Sequence, residues 1–228
     1  MSTSVFIGGT AGLGRFMAQR HADRGNTVII AGRDAARAEA VAKEMGADVT
    51  GIAVDLARPS TIAGSLAAIE RVDHLVVTGA FQKPNTLQDF NIDEAVTAVT
   101  TKLVGYTEAI RALRDRFSPE ASVVVFGGLA KERPYPGSTV ITTFNSAVTG
   151  LIKTLAVELA PHRINALHPA LVGNSPRWEG TDLGHMVAKT PIGRLITMDE
   201  VADATDFLLR NGAMNGHDLY VDGGVLAH

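Results

Sequence analysis

The sequence predicts an α/β fold, a doubly wound parallel sheet of about seven strands flanked by helices on both faces. Three observations predict it. Short apolar, often β-branched runs alternate with amphipathic stretches at helical spacing along the whole 228-residue chain. A glycine-rich loop, Gly8 to Gly14, joins the first such run to the first helical stretch. No linker, repeat or low-complexity tract breaks the alternation, so residues 1–228 are expected to form one domain.

The elements follow in order. Val5 to Ile7 reads as a buried strand, and a helical pattern with Phe16, Ala18 and Ala22 on its apolar side follows the glycine loop. Residues 27–31 form a second strand, and an Ala-rich helix runs from about Ala35 to Met45. Residues 49–54 form a third strand, after which Pro59 opens a helix to about Ile69. The fourth strand, His74 to Thr78, leads to a long helix over roughly Ile92 to Arg116. The fifth, Ser122 to Phe126, ends in Gly127-Gly128, and a polar loop leads to a second long helix, about Thr139 to Ala160. The sixth strand is Ile164 to His168. Asp199 is expected to cap a helix reaching about Arg210, and His217 to Val221 is the last strand. Between them, residues 170–197 are irregular, with Pro176, Trp178 and Pro191. An insertion of that length in a compact domain reads as a substrate lid.

Composition narrows the function classes. There is no cysteine, which removes disulfides, thiolate nucleophiles and cysteine-ligated metals together. The net charge of −3, without a basic block, disfavours nucleic acid. The seven histidines show no metal-ligand spacing, so no metal is expected. No run reaches transmembrane length and no leader pattern precedes the first strand, so a cytoplasmic protein with no membrane partner is expected.

A strand, a glycine loop and a helix make the geometry that grips a diphosphate. Glycines let the backbone turn sharply and come close, and the amides at the helix N-terminus attract the anion. Gly8, Thr10, Gly12, Leu13 and Gly14 are therefore candidate dinucleotide contacts. At the end of the second strand, an acidic residue would accept from a ribose 2′-hydroxyl and repel a 2′-phosphate. Gly32 stands there, followed by Arg33, whose planar fork suits a phosphate. This favours NADP(H) over NAD(H). The alternative leaves Arg33 as an exposed loop residue and gives Asp34 the acidic role.

These residues resemble the short-chain dehydrogenase/reductase (SDR) family over nearly the whole chain. The matching motifs are Gly8-xxx-Gly12-Leu13-Gly14, Asp55-Leu56, the segment 153–169, Pro191-Ile-Gly-Arg194 and Val221-Asp-Gly-Gly224. The resemblance implies a Rossmann-like fold and a bound nicotinamide dinucleotide. It implies that Asp55 and Leu56 contact the adenine, that Gly79 lies along the cofactor, and that Val172 and Asn174 hold the nicotinamide carboxamide. It also implies a homodimer or homotetramer through the long helices 92–116 and 139–160.

The catalytic positions depart from the family's Ser, Tyr-x-x-x-Lys and Asn. Anchored on Gly150 to Lys153, the Tyr position falls on Ile141, the Lys position on Asn145 and the Ser position on Gly128. Anchored on Gly105, the Asn position falls on Lys102. Lys and Asn have thus changed helices, and Lys102 is expected to enter the usual lysine's region with Asn145 as its hydrogen-bond partner. Other acids weighed are Tyr135, Ser138, Thr142 and His168. The expected activity is an NADP(H)-dependent oxidoreductase reducing a C=O or C=N bond of a small-molecule substrate. Trp178, Leu183, Met186 and Val187 would give that substrate an apolar pocket. The alternative is a catalytically silent NADP(H)-binding homologue serving as a binding or scaffold protein.

Overall fold

The structure is a computed structural model that describes residues 1–80 and 83–227. Seven strands form one sheet in the order β3-β2-β1-β4-β5-β6-β7, every neighbouring pair parallel. They are β1 (Thr3–Ile7), β2 (Thr27–Gly32), β3 (Val49–Ala53), β4 (Val72–Val77), β5 (Phe117–Phe126), β6 (Arg163–Pro169) and β7 (Asp218–Val221). The helices are α1 (Gly12–Asp23), α2 (Ala35–Met45), α3 (Pro59–Ser65), α4 (Ile92–Val99), α5 (Tyr106–Leu113), α6 (Thr139–Glu158), α7 (Gly184–Val187) and α8 (Met198–Arg210).

The strand residues explain the layering. Val5 and Ile7 enter one apolar cluster, with Tyr106, Ile110, Val148 and Ile152, whereas Phe6 enters the other, with Met17, Ile30, Val41 and Leu208. Successive side chains leave a strand on opposite faces, so a run apolar at every position can stay put only when both faces are covered. Each large side chain so buried contributes about 1.5–3 kcal/mol. The chain reverses strand order between β1 and β4, and the C-terminal ends of those strands open the crevice where ligands of such sheets bind.

Element ends shift from the sequence reading, with β5 starting at Phe117 rather than Ser122 and α3 ending at Ser65 rather than Ile69, and three further details differ. The long helix 92–116 is not uniform: a π turn, Thr100–Gly105, separates α4 from α5. There Gly105 presses on the chain after β3, where an added Cβ would lie 2.3 Å from the Leu56 carbonyl oxygen. The N-cap of α8 is Thr197 in a capping box with Glu200, rather than Asp199. Finally, α6 is long and apolar enough, by length and composition, to cross a bilayer, against the expectation that no segment would be. Its buried face (Val140, Phe144, Val148, Ile152, Leu155) is that of a helix packed on a core.

Candidate active site

The glycine loop is built as a cradle. Gly8 has φ +95°, and a Cβ there would lie 2.5 Å from Thr78 Oγ1 and 2.6 Å from the Gly79 nitrogen. A Cβ on Gly14 would lie 2.2 Å from the Gly8 oxygen, so α1 starts in contact with the loop. Gly12, with φ +50°, has nothing within 4 Å of that position. The N-cap residue, Ala11, offers no side-chain bond, so the first amides of α1 stay available to an anion. A dinucleotide's diphosphate fits that donor set. Thr10 packs on Gly32, where a Cβ would lie 2.7 Å from Thr10 Oγ1. Leu13 leans on the apolar cluster beside α1.

At the end of β2, the Asp34 carboxylate caps α2 by accepting from the Arg37 amide at 2.8 Å. Arg33 is exposed, and its guanidinium has no polar partner among the described residues. After β3, Asp55 Oδ1 accepts from the Ala57 amide at 3.0 Å, and Arg58 approaches Oδ2 at 3.6 Å. The Leu56 side chain is buried against Gly79, so only its backbone is free for a ligand.

Lys102 lies on the π turn and is 2 % exposed. Its Nζ donates to Tyr106 Oη at 3.1 Å, and the Tyr106 hydroxyl donates to the Gly79 carbonyl at 2.9 Å. The amine also stands 4.9 Å from the Tyr106 ring centroid and 5.8 Å from that of Phe144. Burial pushes its pKa down to about 7. Asn145 on α6 is 1 % exposed. Its Oδ1 has no hydrogen-bond partner in the structure, and its Nδ2 lies 3.1 Å from where a Cβ on Gly128 would be. Lys102 therefore finds Tyr106, not the expected Asn145, as its bonded partner. Ile141 is buried on the same helix.

A second network stands beside Gly128. The Gly128 amide donates to His168 Nδ1 at 3.1 Å, which leaves Nε2–H to donate to Asp218 Oδ1 at 2.6 Å. Thr149 also donates to Asp218, and Lys131 lies 3.7 Å from its other oxygen. Burial lowers the His168 pKa, opposed by Asp218, so the imidazole is held neutral as a brace for the backbone after β5.

The lid joins this face through a parallel bridge between Val172 and Ile196. Asn174 Oδ1 accepts from the Met198 amide at 2.8 Å, which spends its acceptor on the start of α8 and leaves Nδ2 for a carboxamide. Trp178, Leu183, Met186 and Val187 are half-buried in the lid. Tyr135 is not brought into the Lys102 cluster: the residue is 54 % exposed, and its hydrogen bonds run from its backbone to Ser138. The Ser138 and Thr142 hydroxyls bond each other, and Thr142 donates to the Ala130 carbonyl, so both act as loop staples. Sequence reasoning missed Tyr106. The available signal was its place one helical turn after Lys102, which puts both side chains on one face.

Comparison with known proteins places this arrangement. The family model described as enoyl-(acyl carrier protein) reductase matches residues 8–226. A 3-oxoacyl-(acyl-carrier-protein) reductase of Bos taurus is 28% identical, with 96% of this chain and 95% of the relative covered. A solved 3-ketoacyl-(acyl-carrier-protein) reductase from Brucella melitensis, complexed with NADH, superposes with a TM-score of 0.88 at 28% identity, covering 99% of this chain and 98% of that one. The chain belongs to the short-chain dehydrogenase/reductase family of oxidoreductases and is a homologue of the 3-oxoacyl-(acyl-carrier-protein) reductases.

Proposed function

We propose that this protein is an NADP(H)-dependent reductase with a non-standard active site, acting on a C=O or C=N bond of a small, largely apolar substrate. The observation that carries the reading is the glycine cradle opening beside the buried Lys102–Tyr106–Gly79 chain. The amides at Gly12 to Gly14 would hold the diphosphate, and Arg33 a 2′-phosphate, since Asp34 is engaged as a helix cap. Asp55, the Leu56 backbone and Gly79 would line the adenosine side, with Val172 and Asn174 at the carboxamide. When bound, the dinucleotide supplies the hydride. The chain's own residues orient it, close the lid over an apolar substrate and manage the proton.

The positions aligned with the usual Ser and Tyr are Gly128 and Ile141, whose side chains carry no proton and no donor. That supports a departure from the family's ordinary acid. Exposed Ile92, Val96 and Val104 on the first long helix, and Val157 on α6, support assembly as a homodimer or homotetramer through those helices.

The test is calorimetric titration with NADPH and NADH, followed by NADPH oxidation assays against an acetoacetyl thioester, an aromatic ketone and a cyclic imine. Tighter binding of NADPH and oxidation with at least one compound are expected. Binding without oxidation by any of them would replace this reading with a catalytically silent dinucleotide-binding homologue.

A further inference from the structure

Resting on that reading, we propose that Lys102 is the catalytic acid, that Tyr106 is its positioning residue, and that the substrate is a neutral carbonyl compound rather than a cationic iminium. The pair is a Lys-x-x-x-Tyr on the π turn and α5, and π turns inside α-helices recur at functional sites.

The direction of the hydrogen bonds decides which partner can act. Tyr106 spends its only proton on the Gly79 carbonyl, so its oxygen is left as an acceptor for Lys102. It can hold the amine but cannot hand a proton to substrate. Lys102 has three N–H groups as an ammonium and commits one to Tyr106, so two remain. Burial also pushes the Tyr106 phenol up, away from use as an acid.

The surroundings supply no counter-charge. Among the described residues, the titratable groups that act on this amine are Tyr106 and, across from β6, His168, held neutral with Asp218 behind it. From α6 comes the uncharged Phe144 ring, and from the end of β4 the Gly79 carbonyl that holds Tyr106. A buried ammonium without a carboxylate loses its proton readily, to about pH 7, near the range where an acid serves best at neutral pH. On α6, the helix that carries Phe144, the Asn145 Oδ1 is buried beside Gly128 without a hydrogen-bond partner. A pre-charged iminium would be repelled here and would need no proton. A neutral carbonyl oxygen needs both the charge and the proton.

The step balances. The carbonyl carbon gains a hydride from the reduced dinucleotide, and the electrons of the C–O π bond move to oxygen. The oxygen takes a proton from Lys102 Nζ. The products are an alcohol, the oxidised dinucleotide and a neutral lysine, which solvent reprotonates.

Two readouts test this. In the free protein labelled with ¹³C,¹⁵N-lysine, one lysine is expected to titrate near pH 7, to be missing in Lys102→Met, and to move to lower pH in Tyr106→Phe, because a bond that favoured the charged amine is gone. In stopped-flow NADPH oxidation, 9,10-phenanthrenequinone serves as the neutral probe and N-methyl-3,4-dihydroisoquinolinium as the cationic one. Wild type is expected to reduce the quinone only, with kcat falling as pH rises through about 7. Lys102→Met should lose about 10²–10⁴-fold in kcat with NADPH affinity kept. Lys102→Arg, a charge that cannot be titrated, should be slow with no falling limb, and serves if the methionine variant does not fold. In Tyr106→Phe the limb should shift down while KM holds.

A Lys102 that titrates with the surface lysines overturns the assignment and leaves the reductase reading standing. So does a Lys102→Met enzyme with wild-type rate and profile, and so does wild-type preference for the iminium. NADPH binding with oxidation by neither probe overturns both.

Discussion

Gly8 and Thr78 meet at the switch point between β1 and β4, so closely that a Cβ on Gly8 would lie 2.5 Å from Thr78 Oγ1. Four residues on, Gly12 has the same sign of φ with open space around it. The fold demands the first glycine, whereas the second is left open for the diphosphate proposed above. Gly8→Ala should destabilise by about 2–4 kcal/mol, from left-handed strain plus overpacking. Gly12→Ala should cost only about 1–2 kcal/mol, yet weaken NADPH binding. Urea denaturation beside NADPH titration checks this. Equal stability losses in the two variants would sink the distinction.

Arg33 stands exposed where a 2′-phosphate would arrive, and Asp34 is occupied at the α2 cap. Arg33→Ala should cut NADPH affinity about tenfold or more, the loss expected for a charge-assisted bond, and leave NADH affinity unchanged. Fluorescence titration with both nucleotides measures it. Unchanged NADPH affinity in the variant would refute it.

Burying Lys102 works against the fold. Its folded pKa of about 7 lies below the ordinary 10.5, so the unfolded chain keeps a proton that the folded chain releases between those values. Stability from this group is therefore full above pH 10.5 and lost as pH falls through about 7. Lys102→Met should stabilise the protein by about 1–3 kcal/mol at pH 6.5, with the advantage shrinking by pH 10. Chemical denaturation at the two pH values decides. A destabilised variant at pH 6.5 would show that the Tyr106 bond outweighs desolvation.

His74 sets the acid limit. Because the Ser122 hydroxyl donates to the Leu209 carbonyl, His74 Nδ1–H donates to Ser122 Oγ at 3.0 Å. Burial, then the neighbouring His21, lowers its pKa from 6.5 to about 4. The unfolded chain takes up this proton first on acidification, so stability present above 6.5 is lost as pH falls to about 4, up to about 2–3 kcal/mol in all. Thermal melts should show wild type losing more Tm than His74→Asn between pH 7 and 4.5. Parallel losses in the two proteins would reject the assignment.

Nearby, a Ser4–His21–Asp206 chain has the bond lengths of a hydrolytic triad, 2.9 Å and 3.0 Å. Ser4 lies near the N-terminal end of β1, the end opposite the crevice at the C-terminal strand ends, and the chain ties β1 and α1 to α8. Burial opposes ionisation of Asp206, yet bonds from His21 and Arg24 hold its carboxyl at about 2.

Local signals foretold a good part of this molecule. The strand–glycine–helix opening, the parallel sheet implied by strict alternation, and the irregular insertion at 170–197 each follow from local patterns of residue type. Lys102 and Asn145 were legible as unusual types on apolar helices. What was not legible is where their hydrogen bonds go. Lys102 bonds a tyrosine on its own helix, and Asn174 turns its Oδ1 to the Met198 amide, 24 residues away. His168 accepts from the Gly128 amide while its other ring nitrogen is held by a carboxylate 50 residues along the chain.

The amino-acid order alone determined the parallel sheet, its apolar interior and the loop shaped for a diphosphate, because periodicity and glycine placement act over a few neighbouring residues. Only the tertiary structure decided that Asn174 would turn to the Met198 amide, that Tyr135 would face solvent, and that Tyr106, tied to the Gly79 carbonyl, would hold the lysine amine. Those outcomes depend on how distant segments pack. There a buried polar group takes whichever partner the close-packed neighbours leave within about 3 Å, and no single window of sequence contains that choice.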